Sequence, residues 1–236
     1  MTPRVFTPTR RRGTEFLDDP GIPDALRLRS TADVALSNAL FGGRRSVVRE
    51  VLRAVNDGAS RSMTVLDVGT GLGDIPRAAR AALEGRGINV TVAGVECAET
   101  LARATAKAGV PAIRANALAL PFRSHSVDIV FCSQLLHHFD RRESIVILRE
   151  MARVARRCVI VSDIRRSWLA AAGIWLASFL LRFHPVSRHD GVTSVMRGFT
   201  VDELSLLVGE ALGGAAQVRR HPGFRVTASW RVAWAP

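Results

Sequence analysis

The run Val65-Leu66-Asp67-Val68-Gly69-Thr70-Gly71-Leu72-Gly73 constrains this chain more than any other stretch. Apolar residues up to Val68 make a strand, and glycines at alternate positions then strip the side chains from the corner where that strand hands over to a helix. Such a corner lets backbone approach a ligand closely. Dinucleotide-binding proteins cradle a pyrophosphate on a similar corner, spaced G-x-G-x-x-G. Here the third glycine arrives one residue early, and Asp67 and Asp74 flank the turn. Two carboxylates repel a diphosphate and suit a ligand with ammonium and sulfonium groups. A tight turn without a ligand is the plainer alternative.

Around this corner the chain alternates short β-rich runs with longer helical patterns, as a βαβ architecture with a parallel sheet does. Strands are expected at residues 64–68, 89–95, 112–114, 127–133 and 158–162, and helices at 75–83, 98–108 and 142–155. A helix at 202–211 opens with Thr200 as N-cap, and 216–220 and 224–234 form a closing pair of strands around His221-Pro222-Gly223. Ahead of the sheet, 32–40 and 44–55 read as two helices separated by Gly42-Gly43. With 236 residues, 47% of them hydrophobic, the chain can bury one sizeable core. The expected division is a tail with lid helices over 1–58 and a ligand-binding domain over 59–236, together one structural unit.

Cys97, Cys132 and Cys158 are far apart, odd in number and set in apolar runs, which argues against a disulfide framework or a zinc site and fits a reducing cytoplasm. The first 13 residues carry an arginine triplet but no apolar run behind it, and read as a loose basic tail. The net charge of +12 would suit a nucleic-acid binder. Yet the charge is arginine scattered from end to end, Lys107 is the only lysine, and there is no tyrosine to interleave with it. A compositional bias explains that pattern at least as well.

Glu96 ends the strand that follows the glycine corner, where an acid can accept both hydrogen bonds of a ribose diol. Further on come Asn116-Ala117, Leu120-Pro121-Phe122 and Ser126-Val127-Asp128-Ile129-Val130. Over residues 64–163 the run resembles class I S-adenosylmethionine methyltransferases, more narrowly the small-molecule group similar to quinone and polyketide methyltransferases. The resemblance implies a doubly wound, mostly parallel seven-stranded sheet of Rossmann-like type, with N-terminal lid helices and an apolar helix inserted after the fifth strand. It implies S-adenosylmethionine as cofactor, S-adenosylhomocysteine as product, and a donor site of Asp67, Gly69, Thr70, Gly71, Glu96, Cys97, Asn116, Ala117 and Ser133. The family has Asp where this chain has Asn116, whose side-chain carbonyl still accepts a hydrogen bond from an amine.

In that topology the fourth and fifth strands lie side by side with their carboxyl ends at the ligand-bearing edge. Ser133-Gln134-Leu135-Leu136-His137-His138 follows the fourth strand and Asp163 ends the fifth, so an imidazole and a carboxylate meet beside the methyl donor. An imidazole titrates close to neutral pH and takes a proton from a phenol or enol, and an acid behind it orients the ring. His137 is therefore the expected base, Asp163 its orienter and His138 the substitute. The bland account is that the pair caps a helix or packs on the adenosine, because transfer in this fold proceeds largely by alignment.

Residues 168–183 read as a strongly apolar helix, too short and too flanked by arginine for a membrane span. It can roof an acceptor pocket, pack in the core or a dimer face, or touch a membrane transiently. Residues 184–191 read as a polar loop whose His184, His189 and Asp190 match no metal site. Phe41, Trp168, His184, His189 and Arg197 are the expected acceptor contacts, with Arg197 meeting an acidic substituent and 37–43 acting as a hinged lid. The expected partner is a small hydroxylated acceptor, no metal is expected, and the chain is a monomer or homodimer. An RNA-modifying enzyme and a cofactor-binding protein without transfer stay open beside this reading.

Overall fold

The computed structural model describes residues 7–11, 13–55, 61–214 and 216–232. The expected boundary at 58/59, Arg12 of the arginine triplet and the end of the strand expected at 224–234 lie outside them.

Two helices, α1 (Asp24–Leu40) and α2 (Gly43–Val55), precede the sheet. Then β1 (Ser62–Val68), α3 (Asp74–Glu84), β2 (Asn89–Glu96), α4 (Glu99–Lys107) and β3 (Ala112–Arg114) follow in strict alternation. The second half runs β4 (Val127–Ser133), α5 (Arg141–Val154), β5 (Ala155–Ile164), α6 (Trp168–Leu180), α7 (Pro185–Arg197), α8 (Val201–Leu212), β6 (Gln217–His221) and β7 (Arg225–Arg231). The seven strands are ordered β3-β2-β1-β4-β5-β7-β6. The first five run parallel, while β7 is antiparallel to both β5 and β6.

A parallel sheet is covered on both faces, so its central strands are apolar throughout. In β4 the side chains of Ile129 and Phe131 enter a core shared with Val47 and Val51 of α2 and Leu83 of α3. Val130 and Cys132 point the other way, into a core with Ile147, Leu148 and Met151 of α5 and Leu204 and Val208 of α8. Local chemistry sets the helix starts. Asp140 and Glu143 exchange side-chain and backbone hydrogen bonds in a capping box ahead of α5, and Thr200 with Glu203 does the same for α8.

Two elements differ from expectation for one physical reason. α1 begins at Asp24, two turns before the expected residue 32, and the expected loop 184–191 is the start of α7. Both helices bury polar residues, Ser30, Asp33 and Asn38 on α1 and Ser187, Asp190 and Arg197 on α7, so neither shows the apolar stripe that announces a helix. Pro185 fills the first position of α7, where a missing N–H costs nothing, and His184 Nδ1 accepts the Val186 N–H at 3.2 Å.

The order reverses between β1 and β4, and the crevice at their carboxyl ends is where ligands sit in open α/β sheets. Here it is a cavity of about 1150 Å³, reached by the β1–α3 corner, the turn after β4, the end of β5, and helices α1, α6 and α7.

Candidate active site

At the β1–α3 corner the chain turns through left-handed conformations that glycine adopts freely, Gly69 at φ +77° among them. A Cβ on Gly69 would lie 2.8 Å from Leu135 Cδ1, so the corner is also closed to bulk. The N–H groups of Gly69 and Thr70 donate to the Val95 carbonyl at 2.8 and 3.0 Å, tying the corner to β2. Glu96 holds the other side: Oε2 accepts from Gly71 N at 3.0 Å, and Oε1 from Cys97 N at 2.9 Å and Ala98 N at 3.2 Å. Asp67 lies buried beneath, and burial, reinforced by Asp74 and Glu96, pushes its carboxyl pKa well up. Asp74 Oδ2 and Ser133 Oγ are buried with no hydrogen-bond partner among the described residues, both in residues that line the cavity.

A turn of 3-10 helix at Leu136–His138 carries two imidazoles to the same crevice. His137 Nδ1 lies 2.7 Å from Asp163 Oδ1, and its backbone N–H donates to Oδ2 at 3.3 Å. Ile164 N donates to Oδ1 at 2.7 Å. Burial opposes ionisation of Asp163, yet His137 and the Ile164 N–H hold its pKa below the ordinary range. An ionised Asp163 accepts from Nδ1–H and so leaves Nε2 of His137 as the basic nitrogen. That Nε2 is buried without a hydrogen-bond partner among the described residues. Glu15 Oε1 stands 3.7 Å from it.

Residues 66–160, from β1 into β5, match the family described as a methyltransferase domain. Over those residues the chain is similar to methyltransferase domains. Its fold is that of S-adenosylmethionine-dependent methyltransferases. It is similar to such an enzyme from Aquifex aeolicus, at 19% identity over 92% of this chain and 95% of that one, with a TM-score of 0.55. It is similar also to magnesium protoporphyrin IX methyltransferase from Synechocystis PCC 6803. The form with bound S-adenosylhomocysteine is 15% identical over 81% of this chain and 84% of that one, at a TM-score of 0.54. The form with bound S-adenosylmethionine is 13% identical over 92% and 88%, at 0.52.

The residues expected around the donor lie along one wall. Asp67, Gly69, Thr70, Gly71, Glu96, Cys97, Asn116, Ala117 and Ser133 all line the cavity. Asn116 is exposed and its Oδ1 accepts the Leu118 N–H at 2.9 Å, which fixes the side chain. His137, His138 and Phe41 line the cavity as well, whereas Asp163 sits behind His137 without reaching it.

The other acceptor expectations stand elsewhere, each for a visible reason. Trp168 opens α6 on its exposed side, and Leu169, Ala170, Gly173 and Ile174 of that helix reach the cavity instead. His184 is consumed in capping α7. His189 is exposed, its ring edge-on to Phe16 at 4.8 Å, and faces a smaller cleft with Arg11, Trp175 and Arg188. Arg197 is tied down on four sides: Nη1 pairs with Glu15 at 3.2 Å and Asp18 at 2.6 Å, Nε donates to the His137 carbonyl at 3.1 Å, and Nη2 to that of His138 at 2.9 Å. Four of its five N–H donors are thereby spent inside the wall.

Glu15, Asp18 and Arg225 escaped the sequence reading, and all three line the cavity. Glu15 is 2% exposed, and burial raises its pKa against the pull of His138 and Arg197. Asp18 accepts from or pairs with His138 Nδ1 at 2.7 Å, and that ring with Arg197 holds its carboxyl low although burial opposes it. Glu15, His137 and His138 bring three ligand-type atoms within 4.8 Å of one another, a different cluster from the His184, His189 and Asp190 set. Arg197 already serves this cluster as its cation.

Proposed function

We propose that this methyltransferase takes S-adenosylmethionine on the β1–α3 corner and methylates a hydroxyl of a small aromatic, quinol or polyketide-like acceptor, with His137 as base. The bare glycine corner, Asp67 below it, Glu96 beside it and the unpartnered Ser133 Oγ suit a ligand with a cationic amino-acid end and a ribose. Asn116 and Ala117 would meet the adenine. The donor supplies an activated methyl group on a cationic sulfur. What the chain supplies is alignment and exclusion of water, with α1, Phe41 and α7 covering the crevice. His137 Nε2 takes the proton of the acceptor hydroxyl, and Asp163 stabilises the imidazolium that results.

The observation that carries this reading is the buried His137–Asp163 pair, with its outer nitrogen unpartnered on the cavity wall. The largely apolar lining of the cavity favours a small acceptor over RNA. Calorimetry with S-adenosylhomocysteine tests the donor site, and uptake is expected. Turnover of His137→Ala at saturating acceptor tests the base: a rate within about threefold of the parent counts against it, since general bases contribute about hundredfold or more.

Among the described residues no helix is long and apolar enough to cross a membrane. The outer face of α6, with Trp175, Leu176, Phe179 and Leu180 exposed and Arg11 and Arg188 alongside, supports transient contact with an anionic lipid surface from the cytoplasmic side. Co-sedimentation with phosphatidylglycerol vesicles, set against phosphatidylcholine alone, tests that contact. Failure to sediment removes it.

A further inference from the structure

We infer that the acceptor carries a carboxylate, and that Arg225 is the residue that binds it. The inference rests on the reading of this cavity as the acceptor pocket of a methyltransferase. Arg225 opens β7, lines the cavity and is 5% exposed. Among the described residues its Nε and Nη1 are buried with no hydrogen-bond partner, and no carboxylate lies within ion-pair distance of it. Asp163, across the strand pair, is the acid whose field reaches it, but that carboxylate is already engaged by His137 and the Ile164 N–H. Burial presses the Arg225 pKa down only to about 10, so the guanidinium stays charged. An unpaired cation held in a dry wall is costly, and proteins keep one where a ligand completes it.

Position in the sheet assigns that ligand to the acceptor and not the donor. β7 is three places from β1 in the strand order, and adjacent strands lie about 4.8 Å apart, which puts Arg225 about 14 Å from the glycine corner. It is one strand from Asp163, with Arg225 registered against Ile164. A guanidinium fork matches a planar carboxylate better than it matches a neutral hydroxyl or ketone. The acceptor class that fits is a hydroxy acid with an apolar body: the acid on Arg225, the hydroxyl at His137, the remainder against Phe41, Ile164, Ile174 and Phe183.

Calorimetric titration of the protein loaded with S-adenosylhomocysteine, using 4-butylbenzoate, 4-butylbenzamide and 4-butylphenyl phosphate as probes, tests this without requiring turnover. The benzoate is expected to bind at least about tenfold tighter than the amide, the range of a charge-assisted hydrogen bond. That advantage disappears in Arg225→Met and survives in part in Arg225→Lys. Removing an unpaired buried charge is also expected to raise the melting temperature of Arg225→Met. Equal binding of acid and amide, an acid preference retained in Arg225→Met, tighter binding of the phosphate, or a lower melting temperature for Arg225→Met each overturns the assignment. Loss of S-adenosylhomocysteine uptake would instead sink the donor-site reading, and is scored separately.

Discussion

His137 Nδ1 and Asp163 Oδ1 stand 2.7 Å apart, brought together from the ends of neighbouring strands with both side chains shut off from solvent. A carboxylate in that position fixes which ring nitrogen carries the proton and stabilises the ring once it is charged. Asp163→Asn keeps the shape and removes the charge. Turnover is expected to fall about hundredfold or more at saturating acceptor, with S-adenosylhomocysteine affinity unchanged. A steady-state rate close to that of the parent would remove His137 as the base.

Arg197 is the cation that Glu15 and Asp18 share, and it also holds the carbonyls of His137 and His138. Truncating one partner of a buried pair leaves the other charge uncompensated. Arg197→Ala is expected to lose about 3 kcal/mol in urea denaturation, the lower end of the range for buried pairs because Asp18 is partly exposed. Arg197→Lys should recover only part of this, since an ammonium cannot make the same fork.

Asp67 sets a pH dependence. Burial lifts its folded pKa well above the ordinary 3.8, so the folded chain holds the proton more firmly than the unfolded chain does. Its contribution is full below 3.8 and is lost as pH rises through the folded value. Asp67→Asn does not titrate. Its stability relative to the parent is expected to increase as pH rises above about 4, and to level off once the parent carboxyl is ionised. Urea midpoints at several pH values, without ligand, measure the difference.

Gly87 and Gly223 share a φ of +74° and differ in surroundings. A Cβ on Gly87 meets nothing within 4 Å among the described residues, whereas one on Gly223 would fall 1.9 Å from the Phe41 carbonyl oxygen. Gly87→Ala is therefore expected to cost about 1–2 kcal/mol for backbone conformation alone. Gly223→Ala should cost more, because the junction of α1 and α2 must move away from the β6–β7 turn. Thermal or urea melts of the two variants compare them directly.

Much of this molecule is legible residue by residue. The apolar strands, the glycine corner, the Thr200 cap and the acid at the end of β2 follow from periodicity and turn chemistry, which act over a few neighbours. Reading fails where a helix turns a polar face inward, as α1 and α7 do, because the rule that apolar means inside then points the wrong way. The same reversal assigned Arg197 to an acidic substituent of the acceptor, when its guanidinium is a structural tie inside the wall.

From the amino acids in order came the alternation of elements and the glycine corner, both properties of local pattern, and from the family resemblance the strand order that brings His137 to Asp163. Tertiary structure alone decided that Glu15 lies 3.7 Å from His137 and that Arg225 is left without an acid among the described residues while Arg197 meets two. Those pairings join segments more than a hundred residues apart, or depend on which of two like charges meets an acid. Only the packing of the whole chain determines them, because no local periodicity encodes which distant side chain will fill a buried vacancy.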